Sequence, residues 1–239
     1  MEIHKPRPIH SWRELATEIG VIVVGVLIAL GLEQAVEAYH DRERLEETTQ
    51  AIDAEIREGL ASAQILADME GCQQQQLAVL SDAVGKGDRA RVRRLLAEAD
   101  IYEIVPFRNA AWTAALASDV SNHFDRRQQT TYPSLFYVAE KQANWTSDYF
   151  RAEQRLVSFA KSGLSQAPAA SADAVAEVAE MSSILSNMQG SARAYRALAA
   201  QGLGMKPSQP DIDAVLRNGD SVARCNAAAA EMAAQYRKD

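Results

Sequence analysis

Apolar residues are distributed unevenly along this chain, and their spacing changes character near residue 40. From Ile19 to Leu32 the sequence reads IGVIVVGVLIALGL, fourteen residues without a polar side chain. At 1.5 Å per residue this run covers about 21 Å, short of a bilayer hydrocarbon core of about 30 Å. The flanks lengthen it. Trp12 and Leu15 precede the run and Ala35, Val36 and Tyr39 follow it, so a transmembrane helix is expected over residues 12–36. An aromatic then sits near each end, and Trp12, Arg13 and Tyr39 read as interfacial anchors. Glu18 and Glu33 lie toward the ends, where a charge costs less than the roughly 2.5–3.5 kcal/mol of the helix centre.

Two other readings compete for the same segment. The uninterrupted run has the length of a signal-peptide core, with Ala29-Leu30-Gly31 as a small-residue cleavage site. It also has the length of a buried helix in a soluble protein. The flanks favour the membrane anchor, and with Met1 still ahead of the segment an uncleaved anchor is the expectation. Lys5, Arg7, Arg13 and the terminal amine precede the span, while Glu33, Glu37 and Asp41 follow it before any Arg. The positive-inside rule then keeps residues 1–11 in the cytoplasm and sends residues 37–239 across the membrane. Gly25 and Ala29 form a small-xxx-small pair, with Gly20 and Gly31 nearby, the residues expected to pack against another membrane helix. The plain alternative is that Gly and Ala are simply frequent in membrane helices.

Beyond residue 40 the apolar positions recur at helical spacing: Leu45, Ile52, Ile56, Leu60, Ala63, Leu66, Met69, Leu77, Leu80 and Val84. No Pro interrupts them, so the membrane helix is expected to continue into a long helix, bent near Gly59 or Gly71. Gly85-Lys86-Gly87 ends it, and Asp88 is placed to cap a short helix over 89–99. Ile101–Phe107 is the single short strand-like stretch, and Pro106 precedes a helix carrying Trp112 and Leu116. A second long helix is expected over 132–162, with Pro133 in its first turn, where a missing N–H is tolerated. Its Tyr132, Phe136, Trp145, Tyr149, Phe150 and Phe159 read as packing residues. Residues 162–171 read as a linker. Helices over 172–201 (Val175, Val178, Leu185, Met188, Tyr195) and 211–237 (Ile212, Leu216, Val222, Cys225, Met232, Tyr236) complete the chain. The spacing therefore predicts an all-α protein, an N-terminal transmembrane helix followed by an antiparallel extracytoplasmic helical bundle.

Composition narrows the class further. The 239 residues are 47% hydrophobic and 24% charged, which excludes wholesale disorder. A net charge of −7 and a pI near 5.2 argue against nucleic acid as a partner. Sparse turn residues (12 Gly, 7 Pro) and 6% aromatics argue against a sandwich or barrel. A mean hydropathy of −0.23 looks soluble only because one apolar segment is diluted by a long polar-faced remainder. Cys72 and Cys225, two cysteines in a domain expected to lie in an oxidising compartment, suggest a disulfide. A loop this long is worth on the order of 4–5 kcal/mol in the chain-entropy picture. Two unrelated buried thiols are the alternative.

The residues His10-Ser-Trp-Arg-Glu-Leu, followed by Glu18-Ile-Gly-Val-Ile-Val-Val-Gly-Val-Leu-Ile-Ala-Leu, resemble the opening of a family of uncharacterised bacterial single-pass membrane proteins. Those share a Glu-(Ile)-Gly, apolar, Gly-(Ile/Val)-Leu-Ile-Ala-Leu segment ahead of a long helix. Ala111-Trp112-Thr-Ala-Ala-Leu116-Ala-Ser118 is similar to their internal segment of the form AW..AL.S. The chain departs at Asp119, where relatives tend to have Gly, which bears on the turn after that helix. The resemblance implies a bacterial inner-membrane location with a periplasmic domain, and no activity.

No residue pattern points to a reaction. His4, His10, His40 and His123 stand at no metal-ligand spacing. A pigment or haem ligand at His10 or His40 is outweighed by interfacial solvation. Nucleophile-elbow, P-loop and dinucleotide patterns are missing, and Gly202-Leu-Gly reads as a helix cap. Arg89, Arg91, Arg93 and Arg94 form a basic cluster, read first as a solvated face and second as a contact for lipid head groups or an acidic partner. Asn144-Trp-Thr matches a glycosylation sequon but falls mid-helix. Glu46-Glu47 lies on a polar face.

The expectation is a non-catalytic accessory, scaffold or stabilising subunit of an inner-membrane complex, of respiratory or photosynthetic type, without a cofactor. Its partners would be lipid and other membrane subunits, with a homo-oligomer also open. A periplasmic ligand-binding or sensory bundle and an envelope enzyme with an unrecognised site are the alternatives.

Overall fold

Tertiary contacts divide the chain at Thr48–Thr49 into two compact units. A computed structural model describes residues 12–98, 107–161, 168–216 and 221–236. The residues expected to be cytoplasmic, with His4, His10, Lys5 and Arg7, lie outside the described ones, as do Pro106, most of the strand-like stretch and residues 162–167. All regular structure among the described residues is helical, with no strand. Helix α1, Trp12–Asp68, supplies the described part of the first unit and opens the second.

In the second unit α1 is followed by α2 (Glu70–Gly85), α3 (Arg89–Glu98), α4 (Ala110–Leu116), a 3-10 turn (Asp119–His123), α5 (Arg126–Lys161), α6 (Pro168–Leu203), α7 (Gln209–Val215) and α8 (Ser221–Tyr236). The long helix expected to bend near Gly59 or Gly71 is divided at Met69, between α1 and α2. The hydrogen-bond ladder runs on through it, Met69 N–H to Ile65 O and Gln73 N–H to Met69 O, each at 3.0 Å. Gly59 is instead a close-approach site, because a Cβ there would stand 2.6 Å from the Tyr195 hydroxyl.

Helix α2 stops as the sequence predicts. Gly87 takes φ +69°, Asp88 N–H donates to Ala83 O, and the Asp88 carboxylate caps α3 by accepting from Arg91 N–H at 2.9 Å. Gly204, at φ +73°, ends α6 in the same way, with Met205 N–H on Ala199 O. The turn after α4 needs no glycine, since no non-glycine residue among those described has positive φ.

Three boundaries differ from the expectation. Helix α5 begins at Arg126, six positions before Tyr132. Asp125 and Gln128 explain it: Gln128 N–H donates to Asp125 Oδ1 at 2.8 Å while Asp125 N–H donates to Gln128 Oε1 at 2.9 Å. This reciprocal box starts the helix more than one and a half turns early and places Pro133 inside it, past the first turn. Helix α6 begins at Pro168, where proline suits a first helical position. The last expected helix is two. Ser208 caps α7, accepting from Asp211 N–H, and Leu216 leaves helical geometry at ψ 49° ahead of Arg217-Asn218-Gly219.

Helices α5 and α6 run antiparallel. Arg155 near the end of α5 pairs with Glu177 (2.7 Å) and Glu180 (3.0 Å) early in α6, Gln142 meets Ser191, and Thr131 packs on Gly202. Helix α2 is antiparallel to α6 as well, with Glu70 on Arg193 and Gln74 on Gln189. Leu77, Leu80, Val84, Val92, Leu156, Val178, Met181 and Met188 fill the space among α2, α3, α5 and α6. Each such side chain contributes roughly 1.5–3 kcal/mol by leaving water. Two expected core positions are outside it: Val175 is 41% and Phe150 39% exposed. On α6 it is Ala174 and Val178 that face inward, so the apolar stripe is offset by one position from the larger side chain.

Candidate functional site: the exposed apolar helix

Among the described residues the first unit holds no buried face. In the most apolar eighteen-residue stretch of α1, of mean hydropathy 2.4, none of the residues is buried, and the helix is long and apolar enough to cross a membrane. Val21, Leu27 and Leu32 are each more than 60% exposed. Near the helix start the Thr17 hydroxyl donates back to Arg13 O at 2.9 Å, so its polar group is satisfied within the helix. Trp12 and Tyr39 project outward at 81% and 67% exposure, and Arg13 is exposed beside Trp12. Tyr39 meets the His40 ring edge-on, and His40 lies 3.8 Å from Glu43.

The four small residues expected to pack against another membrane helix lie on two faces. Successive residues of a helix turn by about 100°, which places Gly25 and Ala29 on one side and Gly20 and Gly31 on the opposite side. A Cβ at Gly20, Gly25 or Gly31 would meet nothing within 4 Å. The arc of Gly25 and Ala29 also carries Glu18 and Glu33, which lie at intervals of seven and four positions from them. Helical phase alone makes this pairing legible, although the carboxylates read from the linear sequence as terminal features only.

The second unit gathers its polar chemistry inside. Cys72 of α2 and Cys225 of α8 form a disulfide, their Cα atoms 5.8 Å apart, surrounded by Ile65, Met69 and Ala229. Gln73, Gln76, Gln142 and Gln189 are buried. Gln189 Nε2 donates to Gln73 Oε1 at a long 3.5 Å, and the Ser191 hydroxyl donates to Gln142 Oε1. The Gln73 and Gln142 amide nitrogens and both ends of the Gln76 amide have no hydrogen-bond partner. Gln73 and Gln76 share the helical phase of Leu77 and Leu80 and turn inward.

Trp112 of α4 stacks on Phe136 (5.4 Å) and Phe124 (6.4 Å) and meets Tyr132 edge-on. The Tyr132 hydroxyl donates to Asp53 at 3.1 Å, and burial together with that carboxylate pushes its pKa up. Burial, with Glu55 nearby, does the same to Tyr195. Helix α4 is tied to α1 by Ala111 N–H on Glu55 (2.9 Å) and Arg108 on Glu58 (3.3 Å). These rings fill each other's faces and act as core.

Among the described residues, one surface groove of about 240 Å³ is lined by Arg57, Glu58 and Asp211, and another of about 220 Å³ by Arg93, Leu96, Val157 and Lys161. Both are smaller than the roughly 300–1,000 Å³ usual for small-molecule sites. Of the basic cluster, Arg89 lies over the Phe159 ring at 5.0 Å. Among the described residues no three His, Cys, Asp or Glu side chains are grouped to hold a metal ion. Compared with protein-family models, curated proteins and solved structures, the chain finds no match.

Proposed function

We propose that this chain is a non-catalytic, single-pass membrane protein, an accessory, scaffold or stabilising subunit of a bacterial inner-membrane complex. Residues 12–36 span the bilayer, residues 1–11 stay in the cytoplasm, and residues 37–239 form a periplasmic domain. The observation that carries the reading is the wholly exposed apolar stretch of α1, which in water would leave an apolar surface larger than soluble monomers carry. The charge asymmetry about that stretch supports the orientation. The Cys72–Cys225 disulfide fits an oxidising compartment. The resemblance of residues 10–37 to bacterial single-pass proteins supports the same topology.

The test uses the full chain expressed in a bacterium with a C-terminal reporter. An alkaline phosphatase fusion is expected to be active, a green fluorescent protein fusion dark, and the chain to stay in the membrane pellet at alkaline pH. The opposite reporter pattern overturns the orientation. Purification in several mild detergents is expected to retain a stoichiometric partner, and a lone monomer throughout overturns the accessory role.

One observation favours a second reading, a ligand-sensing bundle. The unpaired amides of Gln73, Gln76 and Gln142 inside the bundle are groups that a polar ligand would satisfy. A melting temperature of the full chain that rises with the logarithm of added metabolite supports it. No rise across polar metabolite classes eliminates it.

A further inference from the structure

Glu18 and Glu33, the carboxylates that bracket the apolar run, share a face with its closest-packing residues. At about 100° per residue, Glu18, Ile22, Gly25, Ala29 and Glu33 fall within an arc of about 80° along α1. Depth makes this arrangement informative. Trp12 and Tyr39 are separated by about 40 Å of helix, the thickness of a bilayer with its headgroup layers. Their midpoint is also the midpoint of Glu18 and Glu33, which stand about 22 Å apart against a hydrocarbon core of about 30 Å. Each carboxylate therefore lies about 11 Å from the midplane, inside the hydrocarbon. Sliding the helix to free one drives the other deeper. Neither has an ion-pair or hydrogen-bond partner among the described residues.

Ionisable groups at that depth face partners rather than lipid, and the two residues between them are the ones that let a neighbouring backbone approach. We propose that this face docks a membrane-spanning helix of a different protein, one that carries an arginine or lysine at each of the two depths. A second copy of the chain is the wrong occupant. Copies inserted in the same direction pair about a two-fold axis, which sets Glu18 against Glu18 and Glu33 against Glu33. Gly20 and Gly31, on the far side, share their arc with Arg13, which stands about 19 Å from the midplane and outside the hydrocarbon; no charge lies beside them at membrane depth, and they take no part. The proposal rests on the membrane reading above and adds the chemistry of the partner.

The experiment places the full chain in phosphatidylcholine vesicles with a synthetic Leu/Ala helix that has a central glycine and two arginines fifteen positions apart. Association is read by energy transfer between labels. The arginine helix is expected to bind at least tenfold more tightly than the same helix with leucines in place of both arginines, and more tightly than the chain binds itself. Glu18→Gln with Glu33→Gln removes that preference. Gly25→Leu weakens binding at least tenfold, and Gly20→Leu leaves it unchanged. Equal binding of both probe helices, an equal loss from Gly20→Leu, or preferred self-association overturns the pairing while leaving the membrane reading intact. A chain that is extracted from the vesicles at alkaline pH overturns both.

Discussion

The two units of this chain solve the same problem in opposite directions. In the first, Val21, Leu27 and Leu32 point outward and none of the described residues covers them. In the second, Leu80, Leu156 and Met181 are at most 1% exposed, and most charged residues face out while a few glutamines are enclosed. The residue types are alike and the helices obey the same backbone geometry. What differs is the phase of the polar positions. Residues 19–32 have none, so every direction around the helix is apolar and the medium must be apolar too. In α5 and α6 polar residues return every turn, so one stripe is left to bury and a neighbouring helix suffices. Apolar content alone does not assign a helix to lipid or to a core; periodicity does.

The comparison breaks most visibly at the disulfide, which belongs to one unit only. Replacing Cys72 and Cys225 by alanine is expected to cost the bundle about 4–5 kcal/mol. In a domain of this size that is a fall of roughly 10–20 °C in melting temperature. Circular dichroism of the full chain in micelles checks it, and α1 within the first unit should keep its helicity. Next, Leu156→Ala empties a fully buried site among α2, α3, α5 and α6 and is expected to cost 2–5 kcal/mol. Leu27→Ala, made in an exposed position, should leave the bundle's denaturation midpoint where it was. An equal loss from both would erase the distinction between the units.

A smaller pair sharpens it. Gly59→Ala pushes a methyl group toward the Tyr195 ring and should destabilise by about 1–3 kcal/mol. Gly25→Ala meets nothing within 4 Å and should leave bundle stability unchanged. The smallest effect is at Glu153, which burial raises above the ordinary carboxylate value of 4.5. A raised folded pKa means stability that is fully present below the unfolded value and lost as pH rises through the folded one. Glu153→Gln is therefore expected to melt above the wild type at neutral pH. The gap should close as the pH is lowered past 4.5, and a gap independent of pH would refute the assignment.

Much of the fold is legible in the sequence because its signals are local. Asp88 behind Gly87 marks a helix end and the next beginning, and Gly202-Leu-Gly marks another, since left-handed backbone and side-chain caps need only neighbours in the chain. Ile52, Ile56, Leu60 and Leu66 are buried as their spacing predicts. The start of α5 is equally local, in the Asp125–Gln128 box, although Pro133 by itself points to a later start. What spacing does not reveal is which of two adjacent apolar positions faces a neighbour. Val175 is larger than Ala174 and yet is exposed, because the fit of α6 into the bundle sets its rotation. The glutamine layer was hidden for a related reason: residue type says polar, while phase puts Gln73 and Gln76 inside.

The sequence by itself determined that the chain is helical, that one helix is apolar around its whole circumference, and that Glu18, Gly25, Ala29 and Glu33 share one side of it. These follow from the fixed turn and rise of an α-helix, which need no partner. Only the tertiary structure decided that Cys72 meets Cys225, that Tyr195 closes over Gly59, and that four glutamines are enclosed between α2, α5 and α6. Those depend on how helices far apart in the chain rotate and cross to fill space without voids, a choice made by all the side chains of the bundle at once.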